Sequence, residues 1–297
     1  MMTIHRKWIG VIVVLVLLWV SIPGWCTVDS KESEETIRIA LLQIGPRVGD
    51  VQYNHRLIEA GIEKAAEVGA DWVISPELAE SGFEFVKEIG TGWIEPFPTF
   101  WVKKLILMAK KKEVCLAIGL PEKEAVKGTL YNSMVVIDKE GTLLGTYRKI
   151  KVVKQAEAEQ WATPGDETRV FTLDGMKVGF LICADSYWPE IAARYQDKVD
   201  ILLSGANWPP GECGPSGEWE TRSKETGLSL IVCNRTGKER VMDFTKGESV
   251  VVKGGVRLYA FQTPDSTVFI VDWDPRNDTF LAQGNLNIDP LAVWKIR

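Results

Sequence analysis

Apolar residues recur along this chain in two periods, and the periods divide it into strands and helices. Short apolar runs bounded by turn residues predict buried strands over residues 36–43 (TIRIALLQ), 70–75 (ADWVIS), 114–120, 130–137, 142–147, 176–182, 200–204, 228–233, 249–253, 257–261 and 267–272. Leu57, Ile58, Ile62, Ala65 and Val68 share one face at a spacing of three to four, which predicts a helix over 54–68 ended by Gly69. Trp101, Leu105 and Met108 predict a second helix over 96–112, and 218–227 reads as a third. After the strand at 176–182, Asp185 or Ser186 is placed to cap a helix that Pro189 and Glu190 open and that runs to about residue 196. DKEG at 138–141 joins two strands into a hairpin. Residues 154–166 and 211–217 read as loops, and beyond 272 the pattern is lost in an irregular tail ending in apolar 291–296.

Strands alternating with helices in two successive βαβ passes imply an α/β fold with helices on the sheet faces. In such sheets the ligand crevice lies at the C-terminal strand ends. Three polar residues fall at such ends: Glu77 after ADWVISP, Lys149 after the hairpin's second strand, and Cys183 after MKVGFLI. Taken singly, each has a plain structural reading: a capping glutamate, a solvated lysine, a buried structural cysteine. A thiol at a strand-to-helix junction is equally suited to be a nucleophile, because free amides there lower a thiol's pKa and can hold an oxyanion.

With 45% hydrophobic residues in a chain of 297, a large core can form. A net charge of -5 without a long basic cluster argues against nucleic acid as a partner. At the N-terminus His5, Arg6 and Lys7 precede an apolar run, 8–20, followed by Ser21, Pro23 and Gly24, the layout of a secretory signal peptide. The run is shorter than the roughly 20 residues of a membrane span, which favours cleavage near 24–27 over a retained anchor. Trp25 is ill suited to precede a lipidated Cys26. The chain thus divides into a signal peptide or membrane anchor over 1–26, a polar linker over 27–35 and one domain over 36–297. Membrane contact is expected only through an uncleaved leader. Cys115, Cys183, Cys213 and Cys233 lack compact spacing, so a disulfide scaffold is not expected, and no metal or phosphate-loop motif calls for a cofactor.

A cysteine nucleophile needs a base. Beyond the leader the one histidine is His55, on a predicted surface helix, so a carboxylate must serve, and Glu77 is the candidate. A lysine such as Lys149 can hold a developing oxyanion by charge. With IRIALLQ, SPEL, TYRKIK, WATPGD, LICADSYWPE, GANWP and NRTG in this order, the sequence resembles the nitrilase superfamily of carbon-nitrogen hydrolases over residues 36–274. The resemblance implies a four-layer αββα sandwich that assembles as a homodimer or larger homo-oligomer. It further implies Glu77 as general base, Lys149 as stabiliser of the tetrahedral intermediate and Cys183 as the nucleophile that becomes a thioester, with the Ala184 amide in the oxyanion hole. A second, substrate-positioning glutamate is expected at Glu157 from its separation from Lys149; Glu159 is the alternative, since the spacing to WATPGD departs by a residue. The family's histidine two positions beyond the lysine is Lys151 here.

Nitrile hydrolysers of the family carry Trp-Glu after the cysteine, where this chain has Ala184 and Asp185. N-carbamoyl branches place an arginine shortly after the elbow Asp, where Ser186 and Tyr187 stand. The resemblance therefore points to the amidase branch, with a small-molecule amide that needs no carboxylate. Trp161, Tyr187, Trp188 and Trp208 are candidates for the pocket wall. Carbamoyl hydrolysis, amide or acyl transfer, and a secreted binding protein on the same fold are the other readings the sequence admits.

Overall fold

A computed structural model describes residues 36–154, 157–211 and 214–289. The leader and linker over 1–35, Cys213 and the apolar 291–296 lie outside the described residues. In chain order the elements are β1 (Ile37–Gln43), α1 (Val51–Glu67), β2 (Trp72–Ile74), α2 (Phe85–Ile89), α3 (Phe100–Lys112), β3 (Cys115–Lys123), β4 (Leu130–Ile137), β5 (Leu143–Arg148), β6 (Val170–Leu173), β7 (Met176–Ile182), α4 (Pro189–Ala192), β8 (Ile201–Ala206), α5 (Glu218–Thr226), β9 (Leu230–Asn234), β10 (Glu248–Lys253), β11 (Val256–Gln262), β12 (Thr267–Asp274) and β13 (Thr279–Asn287).

The strands form two mixed sheets, ordered β13-β12-β1-β2-β3-β4-β5 and β11-β10-β9-β8-β7-β6. Ile39, Leu41, Trp72, Met134 and Val136 of the first sheet share one apolar cluster with Phe180, Leu203, Ile231 and Val251 of the second. Alternate residues of the first sheet, Ala40, Leu42, Val73 and Leu116, pack instead under Leu57, Ile58, Trp101 and Leu105 of α1 and α3. The period of two in the strands thus sends successive side chains to opposite faces. β7, β8 and β9 are buried on both faces, which is why their sequences read as continuous apolar runs. Ile191 of α4 and Trp219 of α5 pack on the same cluster, completing a four-layer αββα sandwich.

Helix α1 begins at Asp50, whose side chain accepts from the Tyr53 amide at 3.2 Å. Helix α3 starts four residues later than its apolar spacing predicts, because Thr99 caps it, accepting from the Val102 amide at 3.1 Å. The expected helix to residue 196 is broken. Cys183–Tyr187 forms a 3-10 turn, α4 follows as a single short turn, and Ala193–Tyr195 is again 3-10. Pro189 has no amide to donate and holds Trp188 in an extended conformation, so the chain restarts there. Asp185 and Ser186 are buried and do not cap α4.

The tail beyond 272 is not irregular: β12 continues to Asp274 and pairs antiparallel with β13 at the sheet edge. Gly284 at φ +124° lies at the register shift opposite Ile270 and Val271, and this interruption hides the alternation. The short elements α2 and β6 carry too few residues to show a period. Cys115, Cys183 and Cys233 are free and buried. Among the described residues no helix is long and apolar enough to cross a membrane.

The chain leaving β2 passes through the seam between the sheets, and two glycines admit it. A Cβ on Gly119 of β3 would lie 2.2 Å from the Pro76 carbonyl oxygen. One on Gly205 of β8 would lie 3.0 Å from the Glu77 amide nitrogen and from the Ser75 carbonyl oxygen. Both contacts are with backbone, which cannot step aside as a flexible side chain would. Gly119→Ala is expected to cost about 3 kcal/mol, read as a lower urea midpoint, and an unchanged midpoint would contradict this packing.

Candidate active site

Strand β2 delivers Glu77 into the seam, where its side chain is wholly buried. Burying a carboxylate is costly unless it is paired and hydrogen-bonded. Here Lys149 donates to Oε1 at 2.7 Å, Asn132 Nδ2 donates to the same oxygen at 2.7 Å, and the Asn207 amide donates to Oε2 at 3.1 Å. Asn207 Nδ2 also donates to the Glu77 carbonyl at 2.9 Å, so backbone and side chain are both held.

Lys149 directly follows β5. Its amide donates to the Asn132 carbonyl at 2.8 Å, and its carbonyl accepts from the Gly165 amide at 2.7 Å. The ammonium is fully buried between Glu77 and Glu159, with a short hydrogen bond to the latter. Burial alone would depress its pKa, but the two carboxylates outweigh it and hold Lys149 well above the ordinary lysine value. The lysine is therefore a fixed positive charge. Burial in turn raises the Glu159 carboxyl, against the pull of Lys149.

The second glutamate at the lysine is thus Glu159 and not Glu157. Both lie in one 3-10 turn, Glu157–Glu159, where positions two apart point away from each other. Glu159 turns inward and also accepts from the Val153 amide at 2.7 Å. Glu157 turns outward, 69% exposed, and pairs with Lys87 at 2.6 Å. Sequence separation could not resolve a choice that depends on the sense of this turn.

Cys183 ends β7 in the left-handed region, at φ +45°, a conformation costly for a side chain with a Cβ and often found at active sites. Its thiol lies 3.9 Å from the Asn207 carbonyl oxygen. Asn207 therefore touches both ends of the site, with its amide on Glu77 and its carbonyl at the thiol. Burial first, and Glu77 after it, push the thiol pKa well above its ordinary value, while Lys149 pulls it down by less. The lowering expected from amides at the turn is thus opposed by burial and by Glu77, which push the thiol up.

Asp185 ties the elbow to the lysine. Its Oδ2 accepts from the Ile182 amide at 3.0 Å and from the Tyr147 hydroxyl at 2.7 Å; its Oδ1 accepts from the amides of Ile150 at 3.1 Å and Lys151 at 2.8 Å. One buried carboxylate thus joins the backbone before Cys183 to the backbone after Lys149. Burial raises its pKa despite these donors.

Ala184, buried, occupies the turn position after the thiol. Trp208, also buried, has its backbone clamped by Asn234, whose Oδ1 accepts from the Trp208 amide at 3.0 Å and whose Nδ2 donates to the Trp208 carbonyl at 2.8 Å. Its ring lies 4.8 Å from that of Tyr187 and 5.3 Å from that of Trp219. Trp161 sits farther out, edge-on to Phe85 at 5.1 Å. His55 lies in the outer helical layer, paired with Glu80 at 2.7 Å and stacked on Trp101. Sequence reasoning missed Asn132 and Asn207. The signal was present: each is a polar residue in or just after an apolar strand run, LYNSMVVI and ILLSGANW.

The two glutamates of the turn can be separated by measurement. Glu159→Gln removes one of two carboxylates from a buried ammonium and is expected to cost about 2 kcal/mol in chemical denaturation. Glu157→Gln, at the surface, is expected to leave the midpoint unchanged, and the reverse ranking would contradict the assignment.

Comparison with known proteins shows the family and the fold. The carbon-nitrogen hydrolase family profile matches residues 38–277. A nitrilase of Pyrococcus abyssi is 31% identical over 219 residues, covering 72% of this chain and 80% of that protein. A probable nitrilase of Schizosaccharomyces pombe is 28% identical over 248 residues, covering 80% and 89%. Among solved structures, an amidase from Nesterenkonia sp. superposes with a TM-score of 0.69 at 25% identity, covering 80% of this chain and 90% of that one. A buried Glu-Lys-Cys cluster in the seam of an αββα sandwich, within a chain that this profile matches over residues 38–277, makes the protein a member of the carbon-nitrogen hydrolase family of the nitrilase superfamily, a hydrolase of C–N bonds other than peptide bonds.

Proposed function

We propose that the protein is an exported amidase that works through a cysteine thioester, with Cys183 as nucleophile, Glu77 as general base and Lys149 as the oxyanion-stabilising charge. The observation that carries this reading is Asn207, whose backbone spans from the Glu77 carboxylate to the Cys183 thiol. A neutral thiol must lose its proton as it attacks, so a carboxylate fixed beside it is the needed partner.

On this reading Glu77 takes the thiol proton while sulfur adds to the amide carbon. The negative charge that develops on the carbonyl oxygen is met by the Lys149 ammonium and the Ala184 amide. Glu77 then gives its proton to the leaving nitrogen, ammonia departs, and Cys183 holds the acyl group as a thioester. Water, deprotonated by Glu77, adds to the thioester, and the carboxylic acid leaves as the thiol is restored. Glu159 keeps Lys149 in place and orients the substrate amide, and Trp208 supports the wall of the site.

Ala184 and Asp185 after the nucleophile favour amides over nitriles. The N-terminal 26 residues support export, as periplasmic or secreted protein, with the leader cleaved or kept as an anchor. Homodimeric assembly is the expectation carried over from the family.

The test is ammonia release from a panel of primary amides, carbamoyl compounds and nitriles by protein starting at Ser30. Amides are expected to be turned over. Cys183→Ala and Glu77→Gln are each expected to lower kcat/KM by at least about a thousandfold. Release from nitriles alone, or equal activity in Cys183→Ala, would overturn the reading.

A further inference from the structure

A second buried ion cluster lies behind the site. Arg235, directly after β9, is fully buried and pairs with Glu239, whose side chain is equally buried. The guanidinium also donates to the carbonyls of Thr236 and Pro46, each at 3.1 Å, and its central carbon lies 4.4 Å from the centre of the Phe244 ring. Burial pulls its pKa down to about 9, against the charges of Glu84 and Glu77, so Arg235 is still positive at neutral pH. Buried pairs seldom add stability over apolar residues of the same size, and their best-attested use is to fix a register. What this pair fixes is the segment that leaves Glu77.

The two oxygens of Glu239 accept from the amides of two successive residues, Phe83 and Glu84, each at 2.9 Å. The Glu84 carboxylate, also buried, accepts in turn from the Val241 amide at 3.3 Å, so the two loops are stitched in both directions. Helix α2 begins at the next residue. Its first side chain, Phe85, packs edge-on to Trp161, whose indole donates to the Ala158 carbonyl at 2.9 Å, and Lys87 pairs with Glu157 at 2.6 Å. Glu157 and Ala158 belong to the 3-10 turn that presents Glu159 to Lys149. A line of direct contacts therefore runs from Arg235 through Glu239, the backbone before α2, Phe85 and the turn to the ammonium in the site.

We infer that Glu239, held by Arg235, is a positioning residue for the reaction: it docks α2 against the Glu157–Glu159 turn and so sets Glu159 on Lys149. The inference rests on the amidase reading for its kinetic consequence, whereas the placement of the turn can be measured without turnover. The turn needs such support. A 3-10 turn of three residues has poor hydrogen bonding of its own, and the Gln160 amide reaches the Glu157 carbonyl only at 3.5 Å. Its shape is set by what packs behind it, and Glu239 holds that packing to the backbone.

The experiment is a cycle of wild type, Glu239→Gln, Glu159→Gln and the double variant, assayed on butyramide. Glutamine keeps the size of Glu239 but turns a donor toward one of the two amides and leaves Arg235 without its anion. Glu239→Gln is expected to lower kcat/KM about tenfold alone, but less than about threefold where Glu159 is already glutamine, because the two act through one contact. A residue that only stabilises the fold would give the same loss in both backgrounds. In parallel, hydrogen exchange over residues 157–162 is expected to speed up in Glu239→Gln while β7 and β8 stay as in wild type. Arg235→Lys, which keeps the charge and loses the fork, is expected to move both readouts in the same direction and takes the place of Glu239→Gln in the cycle should that variant not fold. Equal losses in the two backgrounds, unchanged exchange over 157–162, or a rise spread equally over β7 and β8 would each overturn the inference. If the wild type turns over no amide, the amidase reading falls and the exchange result alone decides the placement.

Discussion

The site depends on one buried ion cluster, the Lys149 ammonium held between the carboxylates of Glu77 and Glu159. An unpaired charge in this seam would be costly, and a single pair there would barely repay its desolvation. Two carboxylates around one ammonium keep the lysine charged, and the neutral amides of Asn132 and Asn207 satisfy the rest of Glu77. The sheets, the loop that carries Glu77 and the turn that carries Glu159 must all be in register for this cluster to exist. The cluster therefore links the fold and the chemistry: misplacement of any of the three segments strands a charge.

Around it the protein uses polar residues as rigid connectors. Asn207 fixes Glu77 while its carbonyl faces the thiol, Asn234 fixes the backbone of Trp208, and Asp185 fixes the segments on either side of Cys183 and Lys149. Each spans between chain segments remote in sequence. Removing one of these connectors would strand buried donors or acceptors, and Asn132 Oδ1 and Asn207 Oδ1 already lack a partner among the described residues.

Much of this was legible in the sequence. The buried strands announced themselves as apolar runs, and the polar residues at their ends are the three that meet in the seam. What escaped detection was governed by geometry that a period cannot encode. Whether Glu157 or Glu159 faces Lys149 is decided by the sense of one 3-10 turn. The helix after Cys183 is broken by a proline whose effect on Trp188 overrides the local spacing. β13 was masked by the bulge at Gly284. The upward push on the Cys183 thiol could not be read from sequence, because it comes from burial between the sheets and from Glu77.

The passage of the Glu77 loop between Gly119 and Gly205 bears on motion as well as packing. The Glu77 backbone, clasped by the backbones of two sheets, cannot shift without the sandwich parting. A polar cluster mounted on so clasped a backbone is preorganised, its geometry set by the fold before any ligand arrives.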